Sequence, residues 1–183
     1  MRLPLRFLPL ALAAIAVPAA AALPTGAKAP DFRTRGAVAG TIFRLHLAEQ
    51  IKKGPVVLYF FPAAYTGGCN QEAHDFAENI DKFKAAGATV IGVSMDTVPV
   101  LVKFSSEKCA GKFPVVSAGP RVVAAYDVAL GRQIKDPQTG KMRDATNRTS
   151  YVIDRTGKIV FALSDPSPEG HISGTLEAVR KLN

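Results

Sequence analysis

A cysteine that follows two glycines and opens a helix-forming stretch is a place where sulfur can act as a nucleophile. Cys69 stands after Gly67-Gly68 and before Asn70-Gln71-Glu72-Ala73. Upstream, Val56-Val57-Leu58-Tyr59-Phe60-Phe61 is an unbroken apolar, β-favouring run that Pro62 stops. Such a run predicts a strand covered on both faces. Cys69 is therefore expected beyond the carboxyl end of a buried strand, where sites form in open α/β sheets. The first turn of a helix also leaves N–H groups unpaired and carries the positive end of the helix dipole. Both favour an anion, and the thiolate is the nucleophilic form of cysteine. The competing reading is a buried, inert cysteine, since the residue is common in cores. Against it, Cys69 precedes the helix's apolar face of Ala73, Phe76, Ala77, Ile80 and Phe83.

The other residues of chemical interest are few. There are two cysteines, Cys69 and Cys109, and three histidines, His46, His74 and His171, dispersed along the chain. No pair of cysteines has the spacing of a zinc half-site, so neither a metal site nor a cofactor is expected. The formal net charge is +8, but the basic residues are scattered and not interleaved with aromatics. That pattern predicts a solvated basic surface and no nucleic-acid partner.

Residues 1–22 read as a secretory leader. Arg2 and Arg6 give a positive start, an apolar run with Pro9 and Pro18 follows, and Ala20-Ala21-Ala22 fits an A-x-A cleavage site. The run is short for a membrane span, so an uncleaved anchor is the weaker reading. The expected location is exported, periplasmic or secreted, with no stable membrane insertion after cleavage. Export permits a disulfide.

Residues 23–183 show no repeat or linker and read as one domain whose elements alternate between buried strands and amphipathic helices. Two short strands, at 31–32 and 41–45, flank a Gly-rich turn at 36–40. A short helix at 45–52 precedes the strand at 56–61. A helix from about Cys69 to Ala86 ends at Gly87. A strand at 88–93 leads to a helix that Asp96 or Thr97 can cap, with Cys109 continuing its apolar face. A strand at 113–116 and a short helix at 120–128 follow. Residues 131–147 are an irregular surface stretch. Strands at 149–154 and 158–163 form a hairpin around Arg155-Thr156-Gly157, and a helix at 172–181 closes the chain. The order suits an α/β, thioredoxin-like fold: a mixed central sheet, helices on both faces and an N-terminal extension hairpin.

The segment Pro62-Ala63-Ala64-Tyr65-Thr66-Gly67-Gly68-Cys69 contains Pro-x-x-x-Thr-x-x-Cys and resembles the active-site motif of the peroxiredoxin family. The likeness extends to Ala29-Pro30-Asp31-Phe32, to Val90-Ile91-Gly92-Val93-Ser94-Met95-Asp96 and to Arg148-Thr149-Ser150-Tyr151-Val152-Ile153-Asp154, covering nearly all of the chain after the leader. The branch it is most similar to is the bacterioferritin-comigratory or Q-type group. The resemblance implies a thiol-dependent peroxidase that reduces hydrogen peroxide or organic hydroperoxides through a sulfenic acid at Cys69. It implies that Thr66 orients the attack, that Arg148 stabilises the thiolate and the departing oxygen, and that Pro62 walls the pocket. Glu72 suits orienting the arginine or the helix. Two departures stand out. Gly67 occupies a position where the family often has proline, and His74 one where the Q-type group often has its resolving cysteine. An internal resolving thiol must then be Cys109, for which a buried structural role is the equal alternative.

The implied partners are a peroxide and a thiol reductant, either a thioredoxin-like protein or a small thiol, with the chain a monomer or homodimer. One rival is a thiol–disulfide oxidoreductase on the same fold, disfavoured because Thr66 sits where Cys-x-x-Cys would need a cysteine. A second is a non-catalytic redox-fold binding protein, disfavoured by the joint presence of Pro62, Thr66, Cys69 and Arg148.

Overall fold

The computed structural model describes residues 22–182. The expected leader falls almost wholly on residues 1–21, outside the described residues. A central sheet of seven strands has the order β2-β1-β5-β4-β3-β8-β9. Its members are β1 (Arg33–Val38), β2 (Thr41–His46), β3 (Val56–Phe60), β4 (Thr89–Ser94), β5 (Val115–Ser117), β8 (Thr149–Ile153) and β9 (Ile159–Ser164). The middle strands β5, β4 and β3 run parallel, and β8 and β9 add on antiparallel beside β3. The helices are α1 (Leu47–Lys53), α2 (Gly67–Ala85), α3 (Val98–Glu107), α4 (Pro120–Ala125) and α5 (His171–Arg180).

The alternation of side chains along a strand divides the core in two. Val57, Tyr59 and Phe61 point to one face, where they meet Phe76, Ile80 and Phe83 of α2, Leu101 and Phe104 of α3, and Leu176 and Val179 of α5. Val56, Leu58 and Phe60 point to the other, with Leu47 of α1, Val123 of α4 and Tyr151 and Ile153 of β8. Every residue of β3 is fully buried. The unbroken apolar run is thus the signature of a central strand, and the layered α/β architecture stands as expected.

The N-terminal hairpin differs in detail from the sequence reading. Gly36 to Val38 belong to β1, and the turn is only Ala39-Gly40, both at positive φ (48° and 76°). A two-residue turn of that kind matches the twist of the strands it joins. Gly36 is not a turn residue at all. It pairs with Val116 of β5, and a Cβ there would stand 2.2 Å from the Val115 carbonyl oxygen. The 131–147 stretch is mostly exposed, as expected, but holds a small two-stranded ladder of β6 (Ile134–Lys135) and β7 (Met142–Arg143).

Replacing Gly36 with alanine forces β1 away from β5. A destabilisation of about 1–3 kcal/mol is expected, read as a lower urea midpoint at unchanged m-value.

Candidate active site

The carboxyl end of β3 leads through residues 61–66 into α2, which begins at Gly67, two residues before Cys69. The first i to i−4 bond of this helix runs from the Asn70 N–H to the Thr66 carbonyl (2.9 Å). The amides of Gly67, Gly68 and Cys69 therefore have no acceptor within the helix, and the sulfur sits in the turn where oriented N–H dipoles favour negative charge.

Arg148 reaches the same place from the residue just before β8. The register of β8 on β3 pairs Thr149 with Phe60, which sets Arg148 beside the loop that follows β3. Its Nη2 lies 3.7 Å from Cys69 Sγ. The rest of the guanidinium is pinned: Nη1 donates to Glu72 Oε2, and Nε donates to the Pro166 carbonyl at 2.9 Å. One edge thus remains for the sulfur and whatever approaches it. Gly68 accommodates this edge, since a Cβ there would lie 3.0 Å from Nη2. Cys69 is 1% exposed and Arg148 6%. The cation and the thiol meet at the floor of the site, where screening by water is weak.

Glu72 is fully buried one turn after Cys69. Burial pushes its carboxyl up to about 8, and the Arg148 charge offsets only part of that rise. Oε1 has no hydrogen-bond partner. The nearest ring nitrogen, His171 Nδ1, is 4.0 Å away. His171 is itself fully buried at the start of α5. Its Nε2 lies 3.1 Å from the Asp165 carbonyl, to which it can only donate, so in the neutral ring Nδ1 accepts from the Ser150 hydroxyl (2.8 Å). Burial holds the imidazole below its ordinary range, against the opposing pull of the Asp165 carbonyl.

Thr66 is the residue before the first turn of α2, but its side chain makes no capping bond. The hydroxyl donates to the Ala63 carbonyl instead (2.9 Å). Its proton is thus committed, and what Thr66 presents to a substrate is the acceptor side of Oγ1. Pro62 ends the strand and is half-buried. Cys109 lies just past the end of α3, fully buried in the same apolar cluster as Cys69, and burial pushes its thiol well above the usual range. Both cysteines are free thiols. Tyr59 lies within electrostatic reach of both sulfurs, and its hydroxyl is buried without a partner. His74 is exposed on α2. The structure therefore brings together Thr66, Cys69, Glu72 and Arg148, and it adds His171, Ser150 and the Pro166 carbonyl. The sequence contains no local signal for the added three, because Pro166 and His171 are brought back to the site by the chain after β9, and Ser150 joins it only through its bond to His171.

A model of the AhpC/TSA family matches residues 25–162. The chloroplastic peroxiredoxin Q of Oryza sativa subsp. japonica is 31% identical over 159 residues, 86% of this chain and 67% of the relative. The crystal structure of peroxidoxin BcpB from Mycobacterium tuberculosis superimposes with a TM-score of 0.72 at 32% identity, over 87% of this chain and 97% of that one. The bacterioferritin comigratory protein of Xanthomonas campestris, studied for its alkyl peroxide reduction, gives a TM-score of 0.65 at 28% identity, over 80% of this chain and 90% of that one. A thioredoxin-like fold that sets a thiol against a guanidinium at its strand ends defines a thiol-dependent peroxidase. The chain belongs to the AhpC/TSA family, the peroxiredoxins, with relatives of the Q and bacterioferritin-comigratory type.

The Glu72 environment has a consequence for stability. In the unfolded chain the carboxyl ionises near its ordinary 4.5, whereas in the fold it keeps its proton up to about 8. The native state then binds the extra proton, so this contribution is present at low pH and lost as pH rises through about 8. His171 has the opposite sign, but its unfolded form is already largely neutral above its ordinary 6.5. Between pH ~7 and ~8 the wild type is expected to lose roughly 1 kcal/mol that Glu72→Gln does not lose. Urea midpoints at the two pH values check this.

Proposed function

We propose that Cys69 is the peroxidatic cysteine and that Arg148 and Thr66 hold the peroxide against it. The Cys69 thiolate attacks one oxygen of ROOH. The S–O bond forms as the O–O bond breaks, sulfur is oxidised by two electrons to the sulfenic acid, and the departing RO⁻ takes a proton to leave as ROH. The observation that carries this reading is the Arg148 Nη2–Sγ contact of 3.7 Å made by a guanidinium pinned at its other two nitrogens. A cation fixed in advance costs no reorganisation when charge develops on the departing oxygen. Thr66, its own proton committed to Ala63, is placed to accept the peroxide hydrogen and so fix the direction of approach. Pro62 closes the wall beside the loop.

The sulfenic acid is then reduced by thiol, either a thioredoxin-like protein or a small thiol. A first thiol releases water and leaves a mixed disulfide, and a second thiol regenerates Cys69. If Cys109 is the first thiol, the intermediate is an internal bridge. Cys69 and Cys109 are both buried, one in α2 and the other just past the end of α3, so in this reading the internal bridge forms with local unwinding around Cys69. In our reading the protein is exported by the leader at 1–22 and works in the periplasm or outside the cell, where a bridge would persist. The chain acts as a monomer or homodimer.

Cys69→Ser is expected to abolish peroxide consumption, and an intact first-turnover rate in that variant would overturn the assignment. Arg148→Met should lower the second-order rate with peroxide by about 10²–10³. Cys109→Ser should leave the first turnover unchanged. After one equivalent of peroxide, a mass lower by two hydrogens reports the Cys69–Cys109 bridge, whereas a dimedone adduct reports reduction by an outside thiol.

A further inference from the structure

The loop that carries Thr66 is held in an unfavourable conformation. Tyr65 has φ of 67°, in the left-handed region that non-glycine residues seldom occupy. Such a residue persists only where its surroundings fix it from several sides. On one side the Tyr65 hydroxyl donates to Glu107 (3.0 Å) and its ring packs edge-on against Phe104. On the other side stands Asp96, from the end of β4. Its Oδ2 accepts the Ala64 N–H and the Ser94 hydroxyl, both at 2.8 Å. Its Oδ1 accepts from Arg143 Nη2 at 2.7 Å. Backbone bonds hold Asp96 as well: its N–H donates to Ser94 Oγ (3.2 Å) and its carbonyl accepts from Ser117 Oγ (2.7 Å). The carboxylate is 1% exposed.

The Ala64 N–H and the Ala63 carbonyl are the two ends of one peptide plane. Asp96 grips the N–H end, and the Thr66 hydroxyl donates to the carbonyl end. Rotation of that plane would free the Thr66 proton and turn its oxygen away. Arg143 in turn belongs to the 131–147 excursion. Its Nε donates to Asp136 (2.6 Å), which also accepts the amides of Gln138 and Thr139 (2.9 and 2.7 Å) and so closes the turn between β6 and β7. Thr146 ties the end of the excursion to the Phe61 carbonyl (2.8 Å).

We propose that Asp96 is a positioning residue for peroxide reduction, acting on Thr66 through the Ala63–Ala64 peptide, and that Arg143 holds the Asp96 carboxylate in place from the excursion. The inference rests on the reading of Cys69 as peroxidatic. Neither Asp96 nor Arg143 acts on the sulfur. Their loss reaches peroxide turnover only through the orientation of Thr66. Arg143 also neutralises a buried charge, so its removal leaves the carboxylate free to turn from Ala64.

The test is a double-mutant cycle. Asp96→Ala should lower the second-order rate with peroxide roughly tenfold or more, while leaving the rate of Cys69 alkylation by iodoacetamide unchanged, because alkylation does not use Thr66. Asp96→Asn, which keeps an acceptor for Ala64 but loses the Arg143 bond, should recover part of the loss. In a Thr66→Val background Asp96→Ala should cost little further. Equal slowing of peroxide reduction and alkylation would overturn the proposal, as would full additivity with Thr66→Val or a wild-type rate in Asp96→Ala. If Asp96→Ala does not fold, the milder Arg143→Gln serves. Faster hydrogen exchange at the Ala64 amide together with slower peroxide reduction supports the tether, and unchanged exchange refutes it. Turnover retained in Cys69→Ser would instead remove the peroxidatic reading itself, whatever Asp96 does.

Discussion

A guanidinium taken out of water must find partners for its N–H groups, and how Arg148 finds them shapes the whole site. Glu72 takes one nitrogen and the Pro166 carbonyl a second, which leaves the third facing Cys69 Sγ at 3.7 Å. The charge is buried, so it acts on the sulfur through a medium that screens poorly. Its orientation is set by groups that play no direct part in bond making. Glu72 has a cost of its own: one oxygen lacks a donor, and burial raises its affinity for a proton. His171, neutral and held between Ser150 and the Asp165 carbonyl, faces that oxygen without bonding to it. Buried polar groups that are only partly satisfied stand at the reactive centre, while the apolar clusters on either side of β3 supply the stability that tolerates them.

The scaffold places these groups with few free variables. β3 delivers the loop of residues 61–66, and the parallel neighbour β4 delivers Asp96 to hold it. The antiparallel neighbour β8 delivers Arg148. Two strands that end and one that begins at the same edge thus contribute the loop, its tether and the cation. This is why the strand ends of such a sheet are productive ground for a site. The left-handed Tyr65 marks where the loop is bent against its local preference, and the contacts around it show what holds the bend.

Much of this could be read from the chain alone, where the physical signal is local. The run Val56 to Phe61 announced a central strand because burial on both faces leaves no room for polar alternation. The face of Ala73, Phe76, Ala77, Ile80 and Phe83 announced α2 through its 3.6-residue period, and all five prove buried. Cys69, Thr66 and Arg148 followed from a spaced motif and its resemblance. Non-local geometry was not legible. Gly36 looked like part of a turn, because nothing near it reveals that β5 passes 2.2 Å from where its Cβ would be. Of the two cap candidates Asp96 and Thr97, it is Thr97 that precedes α3, and nothing local reveals that the Asp96 carboxylate points back to a loop 32 positions earlier. His171 looked like one of three scattered histidines, because its approach to Glu72 depends on the packing of α5 against α2, about a hundred positions apart in the chain. Thr66 was expected to orient the attack, and the motif alone does not show that its hydroxyl proton returns to its own loop.

The ladder between β3 and β8 has one further implication. Cys69 and Arg148 are 79 positions apart, and what joins them is the pairing that sets Phe60 opposite Thr149. A slip of one residue would send Arg148 to the opposite face of the sheet. A chain still emerging during synthesis therefore carries the sulfur without its cation. The contact between them forms only once β8 has docked on β3. The juxtaposition of sulfur and cation is in this sense a property of the finished tertiary structure and of no local segment of the chain.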